Sequence, residues 1–292
     1  MKIVYTSDLH GEISLYQDLL QFAASTSAEA IAIGGDLLPS FPPTRRYEDM
    51  VPHQKAFIDQ FLLPFFKRLY ESTPVESIFL IAGNWDVSYS YLFKEPTDYL
   101  INLNQKSFRL KNELELIGYP FVPVTPFRPK DFEKMDGPEA PWPPQKKPSY
   151  ISSPDRSDRL LAIDPCVYLR GRESIGQDLQ NLPEPQHADK TIYIMHSPPH
   201  ATLLDVTRGG DQVGSRSIRV FIEEKQPFLT FHGHIHESPE CSGHYLDRIG
   251  KTLAVNPGQF TWGRGSVSRL HALAFETDHP EETFKHTCDP PT

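Results

Sequence analysis

Cysteine is scarce: the 292 residues contain three, Cys166, Cys241 and Cys288. They form neither an even disulfide set nor a closely spaced metal motif, so they read as free thiols in a reducing compartment. Long apolar runs are missing too, and no uncharged stretch approaches the roughly 20 residues that cross a bilayer. The opening Met1-Lys2-Ile3-Val4-Tyr5 reaches polar residues by Ser7, which leaves no room for the apolar centre of a signal peptide. A cytoplasmic protein, neither exported nor membrane-spanning, is the expectation. Positive charge is also in deficit: 29 Lys and Arg against 38 Asp and Glu give a formal net charge of −9. That balance disfavours nucleic acid as a partner, because such binding rests on clustered basic contacts to phosphates. A small anion remains open, since metal ions dominate the field at a local site.

What is present is the composition of a globular chain, 38% hydrophobic and 23% charged, with 28 prolines that exceed the usual share. The length accommodates one large domain or two modest ones. Lys2 to Thr6, Ala30 to Ile33, Ser77 to Ile81, Thr191 to Met195 and Phe228 to Phe231 read as short buried strands, each running into a polar loop. Leu15, Leu19, Leu20 and Ala23 mark a helix after the first strand, and Phe57, Phe61, Leu62, Phe65 and Leu69 mark another, bent at Pro64. Further helices are expected from about Ser174 to Asn181 and from Ser215 to Glu224, and closing strands at Thr252 to Val255 and near Leu270 to Phe275. From Pro120 to about Pro154 no period survives and prolines crowd together, which reads as a surface insertion or lid. The alternation of strand, polar loop and helix is that of an α/β chain whose ligands gather beyond the carboxyl ends of its strands. Residues 1–292 are expected to form one domain carrying that insertion.

Five of those strand-end loops hold Asp8-Leu9-His10, Gly35-Asp36, Gly83-Asn84-Trp85-Asp86, His196 and Gly233-His234-Ile235-His236. Alone, each is more often an ordinary polar loop than a ligand pair. Together, all just past apolar strands, they are residues that distant segments can bring to one cavity. Carboxylates, imidazoles and one amide, with no thiolate, suit divalent cations and not an iron–sulfur cluster. If the strands continue as regular alternation, Asp8 and His10 point to one side, and so do His234 and His236.

This ordered set resembles the calcineurin-like metallophosphoesterase superfamily, in the type of its small bacterial and archaeal members. His196-Ser197-Pro198-Pro199 and Asn256-Pro257-Gly258 resemble the same members. The resemblance implies an α/β/β/α four-layer sandwich of two central mixed sheets flanked by helices. It also implies two divalent metal ions, with Mn the first expectation and Fe, Zn, Ni or Mg as alternatives. Asp8, His10, Asp36 and His236 would hold one ion; Asp36, Asn84, His196 and His234 would hold the other, with Asp36 bridging. The activity implied is hydrolysis of phosphate esters by in-line attack of a bridging hydroxide, on a small phosphate-ester substrate.

The departure from the pattern is Trp85, which stands where the superfamily commonly has a histidine beside Asn84. An indole donates one hydrogen bond and does not titrate near neutral pH. The expected acid is therefore missing or replaced, and phosphodiesters should be favoured over monoesters. Asn84 and His200 are the catalytic candidates; His53 and His232 are weaker candidates for the acid. Trp85 itself reads as a packing or substrate-stacking residue, and Asp86 as a group that orients a ligand. The alternative from another class is a catalytically weak binding scaffold on the same fold, for which Trp85 is the only support.

Overall fold

A computed structural model describes residues 1–288 apart from 112, 139, 141, 143, 146, 154, 155 and 260–268. Two six-stranded sheets lie at its centre. The first has the spatial order Lys285–His286, Ala272–Glu276, Lys2–Thr6, Ala30–Ile33, Ser77–Leu80, Leu100–Asn102. Its four strands from Lys2–Thr6 onwards are parallel, and Ala272–Glu276 joins antiparallel to the first of them. The second runs Leu246–Ile249, Thr252–Val255, Leu229–Phe231, Thr191–Met195, Glu115–Tyr119, Ser107–Arg109, parallel except at its two edges.

Period-two alternation decides which side chain goes to which layer, and both faces of these strands are buried, so they read as unbroken apolar runs. Ile3, Tyr5, Ala32 and Phe79 of one sheet meet Ile192, Ile194, Phe231 and Val255 of the other. Tyr5 stacks on Phe231 at 4.3 Å between ring centroids. The opposite face, through Val4, Ile31 and Ile78, packs on Leu15, Tyr16, Leu19, Phe65 and Leu69 of the helices on that side. On the far side Ile117, Tyr193 and Met195 pack on Ile175, Leu179, Ile218 and Ile222. The order helix, sheet, sheet, helix is the four-layer sandwich.

Ile13–Thr26 is helical as expected. The second helix starts earlier than its aromatic period suggests, at Met50, and passes through a π segment at Ile58–Leu62 before Leu63–Ser72. Pro64 has no N–H and its ring would crowd the carbonyl four residues back; the wider π turn just ahead of it accommodates both. Ser174 and Ser215 cap Ile175–Gln180 and Arg216–Lys225, their hydroxyls accepting from Gln177 and Ile218 N–H.

The segment expected to lack regular structure does not lack it. Val122–Pro123 pairs with Glu133–Lys134, and Ser149–Ser153 pairs with Arg156–Ile163, followed by a helix at Pro165–Arg170. Pro154 itself lies outside the described residues. Charged residues are also buried here in pairs. Lys130 Nζ meets Glu133 Oε2 at 2.7 Å with both side chains at 0% exposure, and Lys134 Nζ meets Asp178 at 2.6 Å. A lysine in a proline-rich stretch carries no sequence mark that distinguishes a buried partner from water.

Candidate metal centre

The strand Lys2–Thr6 stops at Thr6, and beyond it the backbone leaves the extended region. Asp8 and His10 have φ of 58° and 47°, Asp36 has 50° and His234 has 64°. Regular alternation therefore does not align these side chains, contrary to the sequence expectation. Left-handed non-glycine residues cost free energy and persist where the surroundings over-determine them. Here Asp8 N–H donates to Gly35 O at 2.9 Å and His10 N–H to Asp36 O at 2.8 Å, lacing the first two loops together. Both oxygens of Asp8 accept from the His234 N–H, at 3.0 and 3.1 Å, which ties in the fifth. Gly83 has to be glycine for reach: a Cβ there would run into Asp36 Oδ1 and come within 2.6 Å of His196 Nε2.

The ligating atoms of Asp8, His10 and Asp36 lie within 4.8 Å of one another. Asp36 Oδ2 is 3.7 Å from His10 Nε2 and 3.6 Å from His196 Nε2, so one carboxylate stands between two imidazoles. The rings of His196 and His234 are 5.3 Å apart, and those of His10 and His236 are 5.9 Å apart. His196 Nδ1 faces Gly34 O at 2.7 Å. A carbonyl only accepts, so Nδ1 donates to it and Nε2 is the nitrogen turned toward Asp36. That Nε2 is buried with no hydrogen-bond partner, and so are both Oδ1 and Nδ2 of Asn84. Leaving such atoms unpaired costs about 1–3 kcal/mol each, and a divalent cation is a partner that carboxylate, imidazole and amide donors can share. The donor set thus fits the cations that the sequence implies.

Burial opposes charge throughout this cluster. It is outweighed at Asp36, whose carboxyl the His196 and His10 imidazoles hold well below the usual range. It is outweighed again at His196, which Asp36 lifts to about 9. At His234 burial wins, with help from His196, and the pKa falls to about 3. His10 is also lowered by burial, against the pull of Asp36 and Asp8.

Asp86 accepts from the N–H groups of Leu38 at 2.8 Å, Gly83 at 2.9 Å and Leu37 at 3.2 Å, strapping the Asp36 loop to the Asn84 loop. Asn256 does the same for the His234 loop, donating to Gly233, Ile235 and Leu204 carbonyls. The Trp85 backbone N–H donates to Asp36 Oδ1 at 2.8 Å, while its indole, 7% exposed, forms a wall of the cavity. The cavity has a volume of about 730 Å³ and is lined by His10, Asp36, His234 and His236 together with residues 123–127 of the proline-rich segment.

His200 is not among the residues lining that cavity. It lies in the adjoining one, with Trp142 and Arg216, and its Nδ1 is 3.5 Å from Asp205. The two cavities share Pro123, Val124 and Val213 in their linings. His232 is fully buried, faces the Met195 and Ser197 carbonyls, and is pushed by burial down to about 4. His53 sits on the helix Met50–Phe57. Sequence reading missed Ser40, whose hydroxyl is 2.7 Å from His10 Nδ1, and Glu237, which lines the cavity 3.7 Å from His236 Nδ1. Glu237 follows the Gly-His-x-His run directly, the one signal that could have marked it.

Two sheets back to back, with buried carboxylates and imidazoles gathered at their strand ends, define an α/β sandwich with a candidate metal site. The calcineurin-like phosphoesterase family matches residues 1–238, and the chain belongs to that family. No curated protein matches the sequence. One solved crystal structure superposes with a TM-score of 0.61 and 17% identity over 98% of this chain and 97% of its own. The protein TT1561 of Thermus thermophilus does so with a TM-score of 0.54 and 14% identity, over 98% and 97%. At such identities these likenesses speak for the fold alone. No helix among the described residues is long and apolar enough to cross a membrane.

Proposed function

We propose that this chain hydrolyses small phosphate esters, phosphodiesters in preference to monoesters, with two divalent cations. Asp8, His10, Asp36 and His236 would hold one; Asp36, Asn84, His196 and His234 would hold the other. The observation that carries this reading is the pair of buried, unpartnered groups on two of these loops, the Asn84 side chain and His196 Nε2, the latter 3.6 Å from Asp36 Oδ2. Bound there, cations such as Mn²⁺ would neutralise the phosphoryl oxygens and supply a nucleophile from water. The chain's own residues do the rest. Ser40 and the Gly34 carbonyl hold His10 and His196 by their Nδ1 atoms, and Asp86 and Asn256 keep the loops in register. The Trp85 indole offers no proton beside Asn84, so a leaving oxygen that departs without protonation is favoured.

The test is a panel of alkyl and aryl phosphodiesters and monoesters turned over by protein loaded with Mn²⁺, with metal content measured on the same sample. Aryl diesters should turn over fastest. Two bound ions with no turnover of any ester would overturn the reading, and protein that never retains a stoichiometric pair of ions would favour a binding scaffold.

Two substitutions sharpen it. Trp85→His should raise kcat/KM for alkyl diesters at least several-fold while aryl diesters gain little, because an alkoxide needs a proton as it leaves and a nitrophenolate does not. Equal loss for both esters would refute the missing acid. Asp86→Ala removes an acceptor shared by three backbone N–H groups and should weaken Mn²⁺ binding about 10- to 100-fold, read by calorimetry.

A further inference from the structure

The metal cavity has an aromatic wall that ligand binding to cations does not require. Trp85 stands 4.9 Å from Phe41 and 5.4 Å from Phe127, at interplanar angles of 60° and 49°. Phe41, Trp85 and Phe127 come from three loops far apart in sequence, and Phe41 and Phe127 are each 41% exposed although large and apolar. Val213, also 41% exposed, faces the same cavity. Three of the large apolar side chains left in water thus surround one opening. Isolated exposed apolar residues need no account, but a cluster at the mouth of a site does.

The wall is braced. Tyr47 packs edge-on against Phe41 at 5.8 Å and stacks at 5.2 Å, 10° from parallel, on Tyr150 behind it. Phe127 is held by the buried ion pair: Lys130 Nζ donates to Thr125 O at 2.9 Å, Glu133 accepts from the Thr125 N–H at 3.0 Å, and Phe127 N–H donates to Thr125 Oγ1 at 3.1 Å. A fixed turn thus presents an exposed ring to a fixed indole.

We infer that this wall binds a flat aromatic ring carried by the phosphate ester, seated against Trp85 and Phe127 while its phosphoryl group reaches Asp36 and His10. The inference rests on the proposed phosphoesterase activity and names the class of ester. Rings prefer tilted or offset contact with other rings at 4.5–7 Å, and such contacts favour a ring over an aliphatic group of equal area by about two- to tenfold in affinity. A nucleobase and a simple aryl group share this chemistry.

The experiment measures binding, without turnover, of phenylphosphonate, ethylphosphonate, hexylphosphonate and an adenosine 5′-phosphonate to Mn²⁺-loaded protein by calorimetry. Phenylphosphonate should bind at least about fivefold more tightly than ethylphosphonate. Phe127→Ala should remove most of that difference and leave ethylphosphonate unchanged, and Phe127→Tyr should retain it. The adenosine compound binding more tightly than phenylphosphonate identifies a nucleobase; the reverse order identifies an aryl group. Hexylphosphonate matching phenylphosphonate, or a difference that survives in Phe127→Ala, would overturn the aromatic wall while leaving the phosphoesterase reading intact. If no phosphonate binds to the loaded protein, both readings fall together.

Discussion

Asp36→Asn is expected to lower kcat/KM by about a thousandfold or more for every ester the protein turns over. Asp36 stands between His10 and His196, its Oδ2 at 3.7 and 3.6 Å from their Nε2 atoms, and its Oδ1 already accepts from the Trp85 N–H. A carboxylate can share negative charge between two cations; an amide is neutral and puts an N–H₂ where one oxygen was. Charge stabilisation by such ions is worth several kcal/mol in the transition state, and about 4 kcal/mol is a thousandfold in rate. Metal content measured beside the kinetics separates lost binding from lost chemistry. Near wild-type turnover with two ions bound would remove Asp36 from its proposed place.

Lys130→Met should have the largest effect on stability. It strands Glu133 at 0% exposure, 2.7 Å from where its counter-charge stood, and breaking a buried pair from one side costs about 3–5 kcal/mol. For a chain of this size that is a fall in Tm of roughly 5–8 °C. Glu133 fixes the sign of the pH dependence. Burial lifts its pKa to about 7 against the opposing pull of Lys130, so the folded protein holds this proton more tightly than the unfolded chain. Stability linked to Glu133 is therefore fully present below its unfolded pKa of about 4.5 and is lost as pH rises through 7. Without Lys130 that pull is gone, so the deficit should be greatest above pH 7 and shrink toward pH 5. The double variant Lys130→Met with Glu133→Leu should recover most of the loss, since neither charge then remains buried. A scan of Tm against pH for the three proteins checks this, and a deficit that does not vary with pH would place the cost in packing instead.

The same pair shows where sequence reading stopped. Lys130 and Glu133 are three residues apart in a stretch that reads as a surface insertion or lid, and only their burial with Thr125 makes them a clamp on the cavity wall. Phe41, Trp85 and Phe127 likewise share no local pattern. His200 looked close to the centre because it follows His196 by four residues, yet it lines the adjoining cavity and not the one that holds His10 and Asp36.

Legible without coordinates were the elements that local chemistry dictates. Apolar β-branched runs ended by glycine or a polar residue gave Lys2–Thr6, Ala30–Ile33, Ser77–Leu80 and Thr191–Met195, and with them the loops holding Asp8, Asp36, Asn84 and His196. Those signals survive in one dimension because a strand's burial is written every second residue and its end in the next one or two. The left-handed turns at Asp8, His10, Asp36 and His234 are different: no residue type demands them, and the hydrogen bonds that hold them reach from one loop to another. The straps of Asp86 and Asn256 and the cavity into which a histidine falls are likewise set by contacts between segments distant in the chain. Such contacts are settled by how the two sheets and their helices pack, because each depends on a partner whose position no neighbouring residue encodes.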